Sequence, residues 1–240
     1  MLLNLEMQYF QKLTILITIG ITIGIFLINQ YLNNNNDPKN VFFDLGANIG
    51  DSIDNLFGTN NLKAQGGDMK SKISSYKLDQ KWTIYAIEGN SFFDDNLREL
   101  KNKLSKKHKL ILLNGTVATT YDGKITFYLD KKNKGVNFWG SSILKEHPDV
   151  VNSNSTFETK PCVDMARLLK QYSEDDFIVV KMDIEGAEFD LLLHLAKENV
   201  LKLIDVLFVE YHWGLSPYKT PADVYNKLIS LNKVQQENWT

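Results

Sequence analysis

A single cysteine, Cys162, and only two arginines, Arg98 and Arg167, stand among 240 residues. One cysteine excludes an intrachain disulfide and a cysteine-based zinc centre. It excludes no compartment, because secreted domains of this size hold without disulfides. Two arginines leave few bidentate phosphate clamps. No sign of charge is in surplus: 27 Lys plus Arg against 29 Asp plus Glu leaves −2. A dedicated nucleic-acid binder would carry a basic face, so nucleic acid is not an expected partner. There is no internal repeat, no D-x-D motif and no G-x-G-x-x-G fingerprint. At 43% apolar and 23% charged the chain is globular in composition. Its length suits one cored domain with a short appendage.

Charge is also missing between Lys12 and Asp37. Leu13 to Leu32 reads LTILITIGITIGIFLINQYL, and twenty helical residues span about 30 Å, the hydrocarbon thickness of a bilayer. No A-x-A-like cleavage site follows, only Asn29-Gln30-Tyr31-Leu32-Asn33. The expected organisation is a cytoplasmic tail over 1–12, an uncleaved transmembrane signal anchor over 13–32, a polar linker over 33–40 and a domain over 41–240. Lys12 and the amino terminus outweigh Glu6, while Asp37 and Lys39 cancel. The positive-inside rule then sets the domain in the lumen of the Golgi or endoplasmic reticulum, or outside the cell, as a single-pass type II protein. Gly20 and Gly24 form a GxxxG pair that could join two such helices in a homodimer. Sequons at Asn114, Asn154 and Asn238 agree with a lumenal domain.

From Val41 short apolar runs alternate with helical stretches. Val41–Leu45, Thr83–Ile87, Lys109–Leu113, Phe177–Met182 and Val206–Glu210 read as strands covered on both faces. Phe92–Lys103, Val163–Leu169, Ala187–Glu198 and Pro221–Leu231 read as helices between and after them. The expectation is a doubly wound, mainly parallel α/β sheet. Two polar insertions, Thr59–Gln80 and Asp122–Asn154, interrupt it; the second holds hairpin strands around Lys124–Leu129.

Three motifs sit at strand ends. Asp44-Leu45-Gly46-Ala47-Asn48-Ile49-Gly50-Asp51-Ser52 follows the first strand. Its glycines permit a tight turn and close approach to a ligand, and Asp44 would repel phosphate but welcome an ammonium. Glu88 ends the second strand, where a carboxylate can accept both hydroxyls of a ribose. Together they describe a site for a nucleoside carrying an amino acid, S-adenosylmethionine. The third motif, Lys181-Met182-Asp183-Ile184-Glu185-Gly186-Ala187-Glu188, puts carboxylates beside the same crevice. Asp183 and Glu185 read as site residues, because buried strand-end acids are costly without a purpose. Glu188 and Asp190 read as helix N-terminal acids favoured by the macrodipole. His212, after the fifth strand, reads equally as a general base or as a rim histidine bonded to a neighbour. His108, His147 and His194 show no ligand spacing, and no metal is required by the sequence.

The order DLGANIGDS, IEGN, GSS, VKMDIEGAEFDLL and FVEYH resembles the FkbM family of S-adenosylmethionine-dependent methyltransferases, from Val41 to about Gly214. The resemblance implies the Rossmann-like class I methyltransferase fold and, in most members, O-methylation of a sugar or natural-product hydroxyl. It implies that Asp44, Gly46, Asn48 and Gly50 form the cofactor loop, that Glu88 holds the ribose, and that Asn114 contacts the adenine. It places Asp183 and Glu185 before the methyl group and Gly140-Ser141-Ser142 at the acceptor side. A small-molecule, glycan or lipid acceptor follows from it. Gly89 stands where the family often has proline. Two further strands are implied after the last helix, but the sequence stops at Thr240 just after it; the expectation is either missing closing strands, with strand five a bare edge, or a fragment or altered gene product. Two other readings remain: an inactive binding protein on the same fold, and a nucleotide-sugar transferase of the secretory pathway. A nicotinamide dehydrogenase fits the glycine spacing less well.

Overall fold

The computed structural model describes residues 38–58, 69–73, 75–215, 222–231 and 235–238. The chain divides into two units, Met1–Pro38 and Lys39–Thr240. The apolar run over 13–32 lies outside the described residues. Among the described residues no helix is long and apolar enough to cross a membrane.

The second unit is built on a six-stranded sheet. Its strands are β1 (Asn40–Leu45), β2 (Trp82–Glu88), β3 (Lys109–Asn114), β7 (Phe177–Met182), β8 (Val206–Val209) and β9 (Gln235–Asn238), in the order β3-β2-β1-β7-β8-β9. Every pairing is parallel. All six residues of β1 are buried, as a central strand covered on both faces demands. Alternation sends Phe42 to one face with Ile84, Ala86 and Val179, and Phe43 to the other with Tyr85, Ile87 and Val180. Helices α1 (Asp51–Phe57) and α4 (Asp94–Leu104) cover the Phe42 face through Ile53, Leu56, Leu97 and Leu100. Helices α6 (Met165–Leu169) and α7 (Glu188–Lys197) cover the other through Leu169, Leu191, Leu192 and Leu195. Ile229 of α8 (Ala222–Leu231) joins that second core. Each fully buried side chain of this kind contributes about 1.5–3 kcal/mol. Two short helices, α2 (Met69–Lys72) and α3 (Ser75–Leu78), interrupt the polar insertion before β2.

Two expectations are corrected. Strand five is not a bare edge: β9 runs parallel beside β8, Val206 against Gln235 through Val209 against Asn238. Its sequence, Gln-Gln-Glu-Asn, carries no apolar pattern, and β9 takes the edge position in place of β8. The second insertion is more than a hairpin. β5 (Gly123–Tyr128) pairs antiparallel with β6 (Phe157–Asp164), which pairs parallel with β4 (Val117–Thr119). This small sheet packs Val117, Phe127, Leu129 and Cys162 into a core of its own. The short helix α5 (Pro148–Asn152) lies between β5 and β6.

Strand order reverses at β1, between β2 and β7. That switch point opens a crevice at the carboxyl ends of the strands.

Candidate active site

The crevice is a cavity of about 490 Å³. The turn after β1 forms its floor. Gly46 and Ala47 donate their N–H groups to the Ile87 carbonyl at 3.0 and 3.1 Å, tying the turn to β2. Gly46 has φ +76°, and a Cβ there would fall on the Asp183 carbonyl oxygen, so only glycine fits. Asn48, also left-handed at φ 48°, donates its N–H to Glu88 Oε2 at 2.8 Å and its Nδ2 to the Asn137 carbonyl at 3.1 Å. Glu88 Oε1 accepts the Asn90 N–H at 2.6 Å. Each carboxylate oxygen keeps capacity for a further donor, and Glu88 lines the cavity. Burial pushes its carboxyl up, opposed by those two N–H groups.

Gly46, Asn48, Glu88, Asp183, Glu185 and His212 meet around this cavity. Gly50 stands at the head of α1 with φ 83°. Three expected cofactor residues, Asp44, Gly50 and Asn114, do not line the cavity. Asp44 is wholly buried behind it, 3.6 Å from the ammonium of Lys181. A cation of the chain itself therefore faces Asp44, where a ligand's ammonium was expected. Burial pushes the Asp44 carboxyl up to about 7 despite Lys181. Asn114 pairs with Glu88 in the sheet but does not line the cavity. The chain turns at Gly115, φ +60°, and presents Thr116, Val117 and Ala118 instead.

Lys181, unremarked in the sequence, ties the inner wall together. Its Nζ donates to the Gly46 carbonyl at 2.9 Å and sits 3.2 Å from Asp183 Oδ2. Burial disfavours its charge, but Asp183 and Asp44 outweigh burial and raise its pKa. Glu185 has φ 53°, a conformation costly for a residue with a side chain. Its Oε2 meets His147 Nε2 at 2.9 Å and His212 Nε2 at 3.1 Å, and its carbonyl accepts the Ser142 hydroxyl at 2.7 Å. Burial would raise the Glu185 carboxyl; the two histidines overcome it and lower the pKa. His147 thus enters the site from the loop before α5, although no spacing marked it. Ser141 lines the cavity and Ser142 braces Glu185, which accounts for the paired serines.

Glu188 is more than a helix-terminal acid. It is wholly buried; Oε2 accepts the Gly186 N–H at 2.9 Å, and Oε1 accepts both the His212 N–H at 2.7 Å and His212 Nδ1 at 3.0 Å. Burial disfavours the His212 imidazolium, but Glu185 and Glu188 reverse that and push its pKa up to about 11. With a carboxylate on each of its nitrogens the ring is favoured in its charged form. Glu210, the last acid on the inner wall, lies 3.9 Å from His212 Nε2. Burial, then repulsion from Asp183, pushes its carboxyl up to about 7. Asp183, Glu185 and His212 bring one ligand-type atom each within 4.8 Å of one another. The outer rim is aromatic: Phe138 lines it with Trp139, which is 49% exposed.

A glycine turn after β1, an acid at the end of β2 and acids at the end of β7 around one crevice make a site for a nucleoside-bearing cofactor. Comparison with known families agrees: the methyltransferase FkbM domain matches residues 44–232. No curated protein and no solved structure matches the chain. The matched span holds β2, β3, β7 and β8 in full and every residue lining the cavity, and the chain belongs to the FkbM methyltransferase family.

Proposed function

We propose that the chain is an S-adenosylmethionine-dependent O-methyltransferase, anchored in a membrane of the secretory pathway, that methylates a hydroxyl of a sugar, glycan or lipid. The observation that carries the reading is Glu88, held by the Asn48 and Asn90 N–H groups at the mouth of a glycine turn. Two carboxylate oxygens so fixed suit the two hydroxyls of a ribose. Ile87, Val117 and Phe127 supply apolar wall for a base. Asp51 lines the cavity near the turn and takes the place proposed from sequence for Asp44, facing the amino-acid ammonium.

The cofactor supplies an electrophilic methyl group on a sulfonium. The chain's own part is orientation, exclusion of water and removal of one proton. Holding an acceptor oxygen in line with the methyl group supplies most of the acceleration. Glu185 is engaged by two histidines and Asp183 by Lys181. Among the described residues no hydrogen bond holds the Glu210 carboxylate, whose ion-pair contact with His212 is long at 3.9 Å, and it is the acid assigned here to accept the hydroxyl proton. Phe138 and Trp139 at the rim offer flat apolar faces to an acceptor ring.

The anchor rests on the uncharged run over 13–32, and the lumenal side on the charges that flank it. Pairing through Gly20 and Gly24 is part of the same proposal. The test is transfer of labelled methyl from S-adenosylmethionine to glycan and lipid fractions by the purified full chain. Label in a hydroxyl-bearing fraction, lost in Glu88→Ala, supports the reading. Cofactor binding with no transfer to any fraction supports the inactive alternative instead.

A further inference from the structure

Histidine nitrogen with two carboxylates is a ligand set for a divalent first-row cation. Asp183 follows β7, Glu185 sits in the turn before α7, and His212 follows β8; three backbone positions converge on one point of the cavity. A second feature lies behind the ring. Glu188 is wholly buried and does not line the cavity, and its Oε1 takes Nδ1 of His212 at 3.0 Å. A carboxylate on the far nitrogen of a ligand histidine fixes one tautomer and aims the near nitrogen at the ion. Here the near nitrogen, Nε2, meets Glu185 Oε2 at 3.1 Å. Charge points the same way. Asp51, Glu88, Asp149, Asp183, Glu185 and Glu210 line the cavity, and Lys181 is the one lysine or arginine among its lining residues. Six acids, partly withdrawn from water, against one lysine and the two histidines His147 and His212 favour a cationic ligand.

We propose that Asp183, Glu185 and His212 bind one divalent first-row metal cation, with Glu188 as the positioning residue behind His212. An ion held there would displace the proton between His212 Nε2 and Glu185 and, with an acceptor hydroxyl oxygen as a further ligand, lower that oxygen's pKa. That consequence rests on the methyltransferase reading; the ion site itself does not.

The full chain, stripped with chelator, is titrated with Mn²⁺ while free ion is followed by electron paramagnetic resonance. S-adenosylmethionine binding is measured on the same samples by calorimetry. The expected result is one ion per chain, with affinity at least tenfold weaker in Asp183→Asn and Glu185→Gln. Glu188→Gln, which touches no ion, weakens it by about 10–100-fold. Should Glu188→Gln not fold, the two ligand variants decide, since both side chains face the cavity. Glu88→Gln keeps the ion and weakens the cofactor. An ion retained by wild-type chain that binds no cofactor supports the ion site while sinking the methyltransferase reading. No Mn²⁺ bound, or affinity unchanged in Asp183→Asn and Glu185→Gln, overturns the proposal. So does loss of cofactor alone in those variants, which would assign the acids to the sulfonium.

Discussion

Glu188 Oε1 holds His212 twice, by the backbone N–H at 2.7 Å and by the ring Nδ1 at 3.0 Å. A wholly buried acid at the start of α7 thereby fixes a histidine that follows β8. Neither residue's neighbourhood in sequence announces the other. Removing the acid leaves a buried imidazolium with one carboxylate fewer and two backbone donors without acceptors. Glu188→Ala is predicted to cost about 3 kcal/mol, read as a lowered urea midpoint with unchanged slope. A loss under about 1 kcal/mol would show that the clamp does not hold this wall.

Lys181 neutralises two acids, Asp44 at 3.6 Å and Asp183 at 3.2 Å. Lys181→Met keeps the stem and removes the charge. It is predicted to destabilise by about 3–5 kcal/mol at neutral pH, the cost of breaking a buried ion pair from one side. Denaturant unfolding checks it; a stability equal to wild type would mean that Asp44 needs no cation.

Gly46 and Gly135 make a matched pair of alanine tests. Gly46 combines φ +76° with a Cβ position occupied by the Asp183 carbonyl. Gly46→Ala is predicted to cost at least about 2 kcal/mol and to abolish cofactor binding, because the turn must move. Nothing lies within 4 Å of a Cβ at Gly135, so Gly135→Ala should change neither. Thermal shift with and without S-adenosylmethionine separates the two, and equal behaviour would contradict the close packing of the turn.

His108 supplies a pH dependence away from the site. Its ring is buried, its Nδ1 accepts the Trp82 N–H at 3.3 Å, and burial pushes its pKa down to about 4. Unfolded, the ring titrates near 6.5. Between about 6.5 and 4 the unfolded chain binds a proton that the folded chain refuses, so stability falls as pH drops through that window. The slope approaches 1.4 kcal/mol per pH unit at most, about the free energy of one pKa unit. His108→Asn retains an acceptor for Trp82 and should lose this slope between pH 7.5 and 5; an identical slope in both chains would refute the assignment.

The five central strands were legible because each is a continuous apolar run between turn signals. Phe177–Met182 has the same limits in sequence and structure. The glycine turn and Glu88 were legible for a related reason: strand ends concentrate the chemistry of this fold. What escaped was carried by contacts rather than patterns. β9 is four polar residues, visible only through its pairing with Val206–Val209. His147 reaches Glu185 from 38 positions away through a loop. Asp44 was misplaced because its sequence context looks open, whereas in the sheet it stands opposite Lys181 and turns inward. Phe92, read as the first residue of its helix, precedes it in a tight turn and is 63% exposed.

The decisive experiment is calorimetric titration of the full chain with S-adenosylmethionine, beside Glu88→Ala. One cofactor should bind per chain, with affinity weakened by at least about tenfold in the variant, the equivalent of one charge-assisted hydrogen bond. A folded wild-type chain that binds no cofactor, or a Glu88→Ala variant that binds it equally well, would contradict it.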